Sequence, residues 1–200
     1  MSNIGMHTMG IFEDDLLTVK ECLKIALYTI FYHRWLNNNN YTDEESNITN
    51  ISYKKINNDL LEKEINDLFQ KIDNYSKSNQ KLQITLSFYT TNRSFFFYSK
   101  NEGLWEKWNF LIIISNKEPS DRESKVRDYL FKIIKELNTE KDFMPDLELD
   151  NFENINDNNI NNNNDFNFPF EIIVNPEFDQ ESILSILKNL NVKESFDNLL

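Results

Sequence analysis

Lys81-Leu-Gln-Ile-Thr-Leu-Ser-Phe-Tyr-Thr90 alternates without a break: Leu82, Ile84, Leu86 and Phe88 face one way, and Gln83, Thr85 and Ser87 the other. A period of two is the pattern of a pleated strand with one side on a core, so the stretch predicts a half-buried strand. Trp105–Ser115 follows the same rule, with Trp108, Phe110, Ile112 and Ile114 on one face. Leu111 and Ile113 stand on its opposite face, which predicts an interior strand covered on both sides. Further on, Phe168–Val174 reads as another strand.

The segments around these strands change period. From Asp15 to Leu36, Leu16, Val19, Leu23, Leu27 and Ile30 recur at three- and four-residue spacing, one face of an α-helix. Ile25, Ala26 and Phe31 widen that face, so this helix is expected to be central and largely buried. A second amphipathic helix is expected over Asn58–Tyr75, carried by Leu61, Ile65, Leu68 or Phe69, and Ile72. A third opens at Ser120 with a capping box to Glu123 and continues on Val126, Leu130, Ile133 and Leu137 to near Asn138. Asp179 reads as the N-cap of a last short helix through Leu190. The order helix, helix, strand, strand, helix, strand, helix implies an α+β fold, with helices packed on a mostly antiparallel sheet.

Two asparagine-rich stretches, 37–50 and 151–167, interrupt this patterning. They lack the apolar side chains that offset ordering entropy, so both read as loops. Residues 1–14 show no convincing strand pattern and read as a flexible N-terminus, which leaves a single domain over 15–200. The chain has 200 residues, of which 40 % are hydrophobic, enough to bury a core. Its net charge of −12 repels phosphate backbones, so nucleic acid is not an expected partner. No basic n-region precedes an apolar run, and stretches such as Phe110–Ile114 are too short to span a bilayer. An intracellular, cytoplasmic protein without an integral membrane segment is expected.

Residues for chemistry are scarce. Three glycines (Gly5, Gly10 and Gly103) cannot form a phosphate-cradling loop, so P-loop and Rossmann nucleotide binding are excluded. The lone Cys22 excludes an internal disulfide, and its apolar helical setting marks a buried structural thiol. His7 falls in the terminus, and His33 ends the first helix beside Arg34, where a cation suits the helix dipole. No metal-ligand spacing or nucleophile motif occurs. The acidic pairs Asp14–Asp15 and Glu44–Glu45, and the trio Asp146, Glu148 and Asp150, read as solvated surface acids. No catalytic residue, metal site or cofactor is therefore expected, and the chain reads as a non-enzyme.

One segment stands apart. Thr90–Leu104 joins the two strands, and at its centre is Ser94-Phe95-Phe96-Phe97-Tyr98-Ser99. Hairpin connections usually run about two to five residues, so a longer one with four consecutive aromatics needs a reason. Either the strands extend and fold part of the cluster into the core, or the aromatics form a finger that anchors a partner.

Four segments carry a family likeness: Leu23-x-x-Ala26-Leu27-Tyr28-Thr29-Ile30 running into His33-Arg34; Leu86-Ser87-Phe88-Tyr89; Trp105-Glu106-x-Trp108; and the capped helix followed by Phe143-Met144-Pro145. Their order and spacing resemble the HORMA-domain family, specifically the autophagy-related protein 101 family, over Leu16–Pro145 and more weakly through Phe168–Val174. The resemblance implies a HORMA-like domain and an adaptor in the autophagy-initiating protein kinase complex. It also implies pairing with the HORMA domain of autophagy-related protein 13, and a place at the preautophagosomal structure, the phagophore assembly site. The spacing from Phe88-Tyr89 to Trp105 puts the family's protruding Trp-Pro-Phe finger on Phe96, Phe97 and Tyr98, the partner-binding residues the resemblance implies. The resemblance further implies that the helix Ser120–Asn138 serves as the dimerisation surface. The family carries a strand before its first helix, and the pattern of Met1–Ile11 departs from it. A second reading on the same fold is a checkpoint- or meiosis-type HORMA adaptor that closes over a partner peptide.

Overall fold

A computed structural model of the chain describes residues 4–34, 40–77, 80–90, 103–115, 121–139 and 169–179. Its elements run β1 (Gly5–Thr8), β2 (Phe12–Asp14), α1 (Leu16–Arg34), β3 (Tyr41–Glu45), β4 (Ser52–Ile56), α2 (Asp59–Tyr75), β5 (Lys81–Tyr89), β6 (Leu104–Ile114), α3 (Arg122–Thr139) and β7 (Phe170–Asn175). This is the expected α+β architecture. The main sheet has the order β1-β6-β5-β7, with β2 also on β6, and β3 and β4 form a separate hairpin.

The two long ladders, β5 on β6 and β5 on β7, are antiparallel. The edge formed by β1 and β2 runs parallel to β6. Thr8 pairs with Asn109 and Phe12 with Ile112, so the edge advances four residues where β6 advances three. Gly10 lies in that irregular step, where an added Cβ would meet open space. Sheet structure at Gly5–Thr8 and Phe12–Asp14 corrects the expectation of a flexible N-terminus over 1–14. The inward residue of β1 is His7, so the strand carries no apolar alternation to reveal it.

The register sets one face of the sheet. Leu82, Ile84, Leu86 and Phe88 of β5 stand level with Ile112, Phe110, Trp108 and Glu106 of β6, and Ile172 and Val174 of β7 continue the row. This face forms one core with α1, α2 and α3. Within it, α1 buries Val19, Leu23, Ala26, Leu27 and Ile30 completely, as its widened apolar face requires. Cys22 joins the same core, and burial pushes its thiol far above the usual range. The stripe Val126, Leu130, Ile133 and Leu137 of α3 is buried as expected, and Tyr129 joins it against Phe12, ring centroids 5.0 Å apart.

Burial of the second sheet face differs from a half-buried strand. Gln83, Thr85 and Ser87 are buried too, so β5, paired on both edges by β6 and β7, is covered on both faces. Their polar groups find partners: the Thr85 hydroxyl donates to Asn109 Oδ1 at 3.0 Å, and Gln83 exchanges hydrogen bonds with Asp179.

The helix starts are capped by short polar side chains. Asn58 accepts from the Leu61 amide at 2.8 Å to begin α2. For α3 the cap is Asp121, whose φ is 53° and whose carboxylate accepts from the Ser124 amide at 3.3 Å. Glu123 bonds Asn50 and Arg127, and the capping box expected with Ser120 lies outside the described residues. The loop expected over 37–50 is corrected in part, since Tyr41–Glu45 forms β3 against β4. Its sequence, Tyr-Thr-Asp-Glu-Glu, has no apolar period, and its partner strand supplies the order. The second Asn-rich stretch, 151–167, and the helix expected after Asp179 lie outside the described residues.

Candidate partner-docking surface

The hairpin of β5 and β6 closes where the Thr90 amide donates to the Gly103 carbonyl at 2.7 Å. A Cβ on Gly103 would come within 3.1 Å of the Thr90 carbonyl oxygen, so any larger residue here would press the two strands apart by a few tenths of an ångström. Between Phe88 and Tyr89 the register shifts against β6, and Trp105 is the extra residue of that bulge. Its ring sits 5.5 Å from that of Phe88, which in turn meets Phe31 of α1 edge-on at 5.3 Å. The hairpin base is thus held by packed rings. Residues 91–102, with the expected partner-binding Phe96, Phe97 and Tyr98, lie outside the described residues.

Helix α3 presents a second surface. Its inner stripe is in the core, but Phe131, one position past Leu130, is 61 % exposed. It lines a groove of about 300 Å³ with Ile25, Ile51, Leu130 and Ile134, a mainly apolar surface with Asn50 and Arg127 among its polar members. An exposed aromatic next to an apolar groove is the surface of an association site more than of a free helix. The signal was available in the sequence, because Phe131 falls off the Val126–Leu137 stripe.

Ion pairs fix α3 in place. Lys125 Nζ reaches Asp14 Oδ2 at 2.9 Å, and Arg122 reaches Asp15 Oδ2 at 3.2 Å. Asp14 is buried and Asp15 caps α1 through the Leu17 and Thr18 amides, so this pair does not behave as solvated surface acids. Burial works against the charge of Asp15. Hydrogen bonds from the Thr18 hydroxyl and amide, with the Arg122 guanidinium, outweigh it and hold the pKa at about 2.

A buried ionic cluster lies under the far ends of α1 and α3. Arg34 donates to both oxygens of Glu106, at 2.8 and 2.6 Å, and His7 Nε2 lies 3.2 Å from the same carboxylate. The His7 ring stacks on Trp108 at 3.9 Å, and its Nδ1 lies 3.6 Å from Glu136 of α3. Burial pushes Glu106 upward, but the bonds from His7 and Arg34 prevail and keep it below the usual carboxylate range. All three groups are sealed from solvent, so the cluster fastens β1, β6 and α1 together. Sequence reasoning missed it because its members come from residues 7, 34 and 106. His33, by contrast, is exposed and contacts the Thr29 carbonyl at 2.8 Å near the helix end, as a capping residue does.

A second groove, of about 340 Å³ between α1 and α2, contains Lys20, Lys24 and Lys55. Each is matched by an acid: Asp73, Glu21 and Glu62 respectively. Among the described residues no three His, Cys, Asp or Glu side chains gather as a metal ion would need, and no helix is long and apolar enough to cross a membrane.

The family described as Autophagy-related protein 101 matches residues 13–151. The chain is also similar to the Autophagy-related protein 101 of Arabidopsis thaliana, with 26 % identity over 163 residues, covering 66 % of this chain and 76 % of that protein. The family match starts within β2, so β1 and His7 precede it.

Proposed function

Because this chain belongs to the autophagy-related protein 101 family, we propose that it serves autophagy as a non-enzymatic adaptor subunit of the initiating kinase complex. In this reading it pairs with the HORMA domain of autophagy-related protein 13 through the outer face of α3 and works at the phagophore assembly site. The observation that carries the reading is Phe131, exposed on a well-anchored helix beside an apolar groove. A partner aromatic or aliphatic side chain fills that groove while Phe131 enters the partner. Aromatic anchors of this kind cost about 2 kcal/mol or more on truncation.

The second working feature is the aromatic run Phe96, Phe97 and Tyr98, which in this reading recruits downstream factors of autophagosome formation. The two surfaces separate experimentally. Phe131→Ala is expected to fold normally and lose co-purification with the HORMA partner. The double variant Phe96→Ala, Tyr98→Ala is expected to keep that partner and lower the number of autophagosomes formed. Unchanged co-purification by Phe131→Ala removes α3 as the pairing face, and normal autophagic flux in the double variant removes the finger.

A further inference from the structure

We propose that the outer edge of β3 receives an extended lysine- or arginine-rich segment of a partner protein by strand addition, at a surface separate from the α3 face. The hairpin register decides which backbone groups are available. The Asn57 amide donates to the Asn40 carbonyl at 3.0 Å, and the Ser46 amide to the Ile51 carbonyl at 2.9 Å. Between these ends Tyr41 pairs with Ile56, Asp43 with Lys54 and Glu45 with Ser52. Antiparallel ladders alternate bonded and non-bonded pairs, so residues 40, 42, 44 and 46 bond inward to β4. Tyr41, Asp43 and Glu45 therefore turn their N–H and C=O groups outward. Among the described residues β3 pairs with β4 alone, which leaves that edge open.

Charge selects the occupant. Tyr41, Thr42, Asp43 and Glu45 are exposed, and three consecutive acids line the edge. Asp43 is met by Lys54 at 2.6 Å, whereas among the described residues no cation pairs with Glu44 or Glu45. Charged edges block pairing with like strands: a second copy would set carboxylate against carboxylate. The same acids favour an added strand with basic residues opposite them, since opposite charges across a ladder attract. The net charge of −12 draws such a segment in from a distance. Main-chain bonds then supply affinity, and the basic side chains supply selection.

The probe is a fluorescein-labelled peptide, Val-Thr-Lys-Arg-Lys-Val-Thr, titrated with the full chain by fluorescence polarisation. Glu45→Gln and Glu45→Pro remove the same charge, but only proline removes the outward N–H, and it leaves the bonds to β4 intact. Wild type is expected to bind saturably. Glu45→Pro should bind roughly three- to tenfold more weakly than Glu45→Gln, the loss of one hydrogen bond. Equal affinity of the two variants reduces the contact to diffuse charge attraction and overturns the proposal, as does the absence of saturable binding to wild type. If circular dichroism shows that the proline variant does not fold, amide shifts of wild type decide. Peptide-induced shifts centred on Tyr41, Asp43 and Glu45 support the edge, and shifts elsewhere overturn it.

Discussion

Replacing Arg34 by methionine tests the buried ionic cluster directly. The side chain is buried at the end of α1 and gives Glu106 two of its hydrogen bonds, at 2.8 and 2.6 Å. Methionine fills much of the same volume, so the loss is electrostatic more than steric. The Glu106 carboxylate then stays buried with only His7 beside it, and breaking a buried pair in this way costs about 3–5 kcal/mol. Against a typical domain stability of about 5–15 kcal/mol, this is a large fraction. The pH dependence follows from the direction of the shift. In wild type, Glu106 is held below the usual range, so its stabilisation is present above the unfolded carboxylate value and is lost as pH falls through the folded one. In Arg34→Met, burial without the guanidinium raises Glu106 instead, so acid neutralises an unfavourable charge. The stability gap between variant and wild type should therefore narrow from about pH 7 to about pH 5. Urea unfolding followed by tryptophan fluorescence measures it, with the same probe in both proteins. The double variant Arg34→Met, Glu106→Leu should recover most of the loss, because a paired charge replaced by apolar groups is often neutral. A loss under about 1 kcal/mol, or an equal loss at both pH values, refutes the reasoning.

Three further outcomes rest on single features. Leu23→Ala, at a fully buried position of α1, should cost about 2–5 kcal/mol in urea unfolding through the lost contacts and the cavity left behind. Asn58→Ala removes the cap of α2 and should cost about 0.5–2 kcal/mol, whereas Asn58→Asp or Asn58→Ser should retain most of it. Asp15 has its pKa lowered from 3.8 to about 2, so its stabilisation is present above about 3.8 and disappears as pH falls toward 2. Thermal melts of Asp15→Asn should therefore be flatter over that window than those of wild type.

What was legible in the sequence was what is local. The alternation of Leu82–Phe88 and the spacing of Leu23, Leu27 and Ile30 each record a face meeting one core, and both elements stand where those patterns place them. Strand β1 left no such record. Its buried residue is a histidine that lies 3.2 Å from Glu106 and stacks on Trp108, and nothing within a few residues announces either neighbour. Strand β3 is likewise silent, because it is exposed on both faces and ordered by the backbone of β4. Of the candidate surface, the position of Phe131 off its stripe was readable from spacing. The groove beside it was not, since Ile25 and Ile51 come from other elements.

The parallel seating of β1 on β6 sets a timetable for synthesis. Gly5 pairs with Glu106, so the first strand of the sheet has no place to go until its neighbour, about a hundred residues later, has been made. At roughly 5–20 residues per second, that is a wait on the order of 5–20 s on the ribosome. During it, His7 and Phe12 remain outside any sheet, while α1, α2 and the β3–β4 hairpin can begin to assemble from local contacts. This edge is made well before the strand it docks on, whereas α3 and β7 follow that strand and add to the same core later still. A slow translation site before β6 would lengthen that exposure.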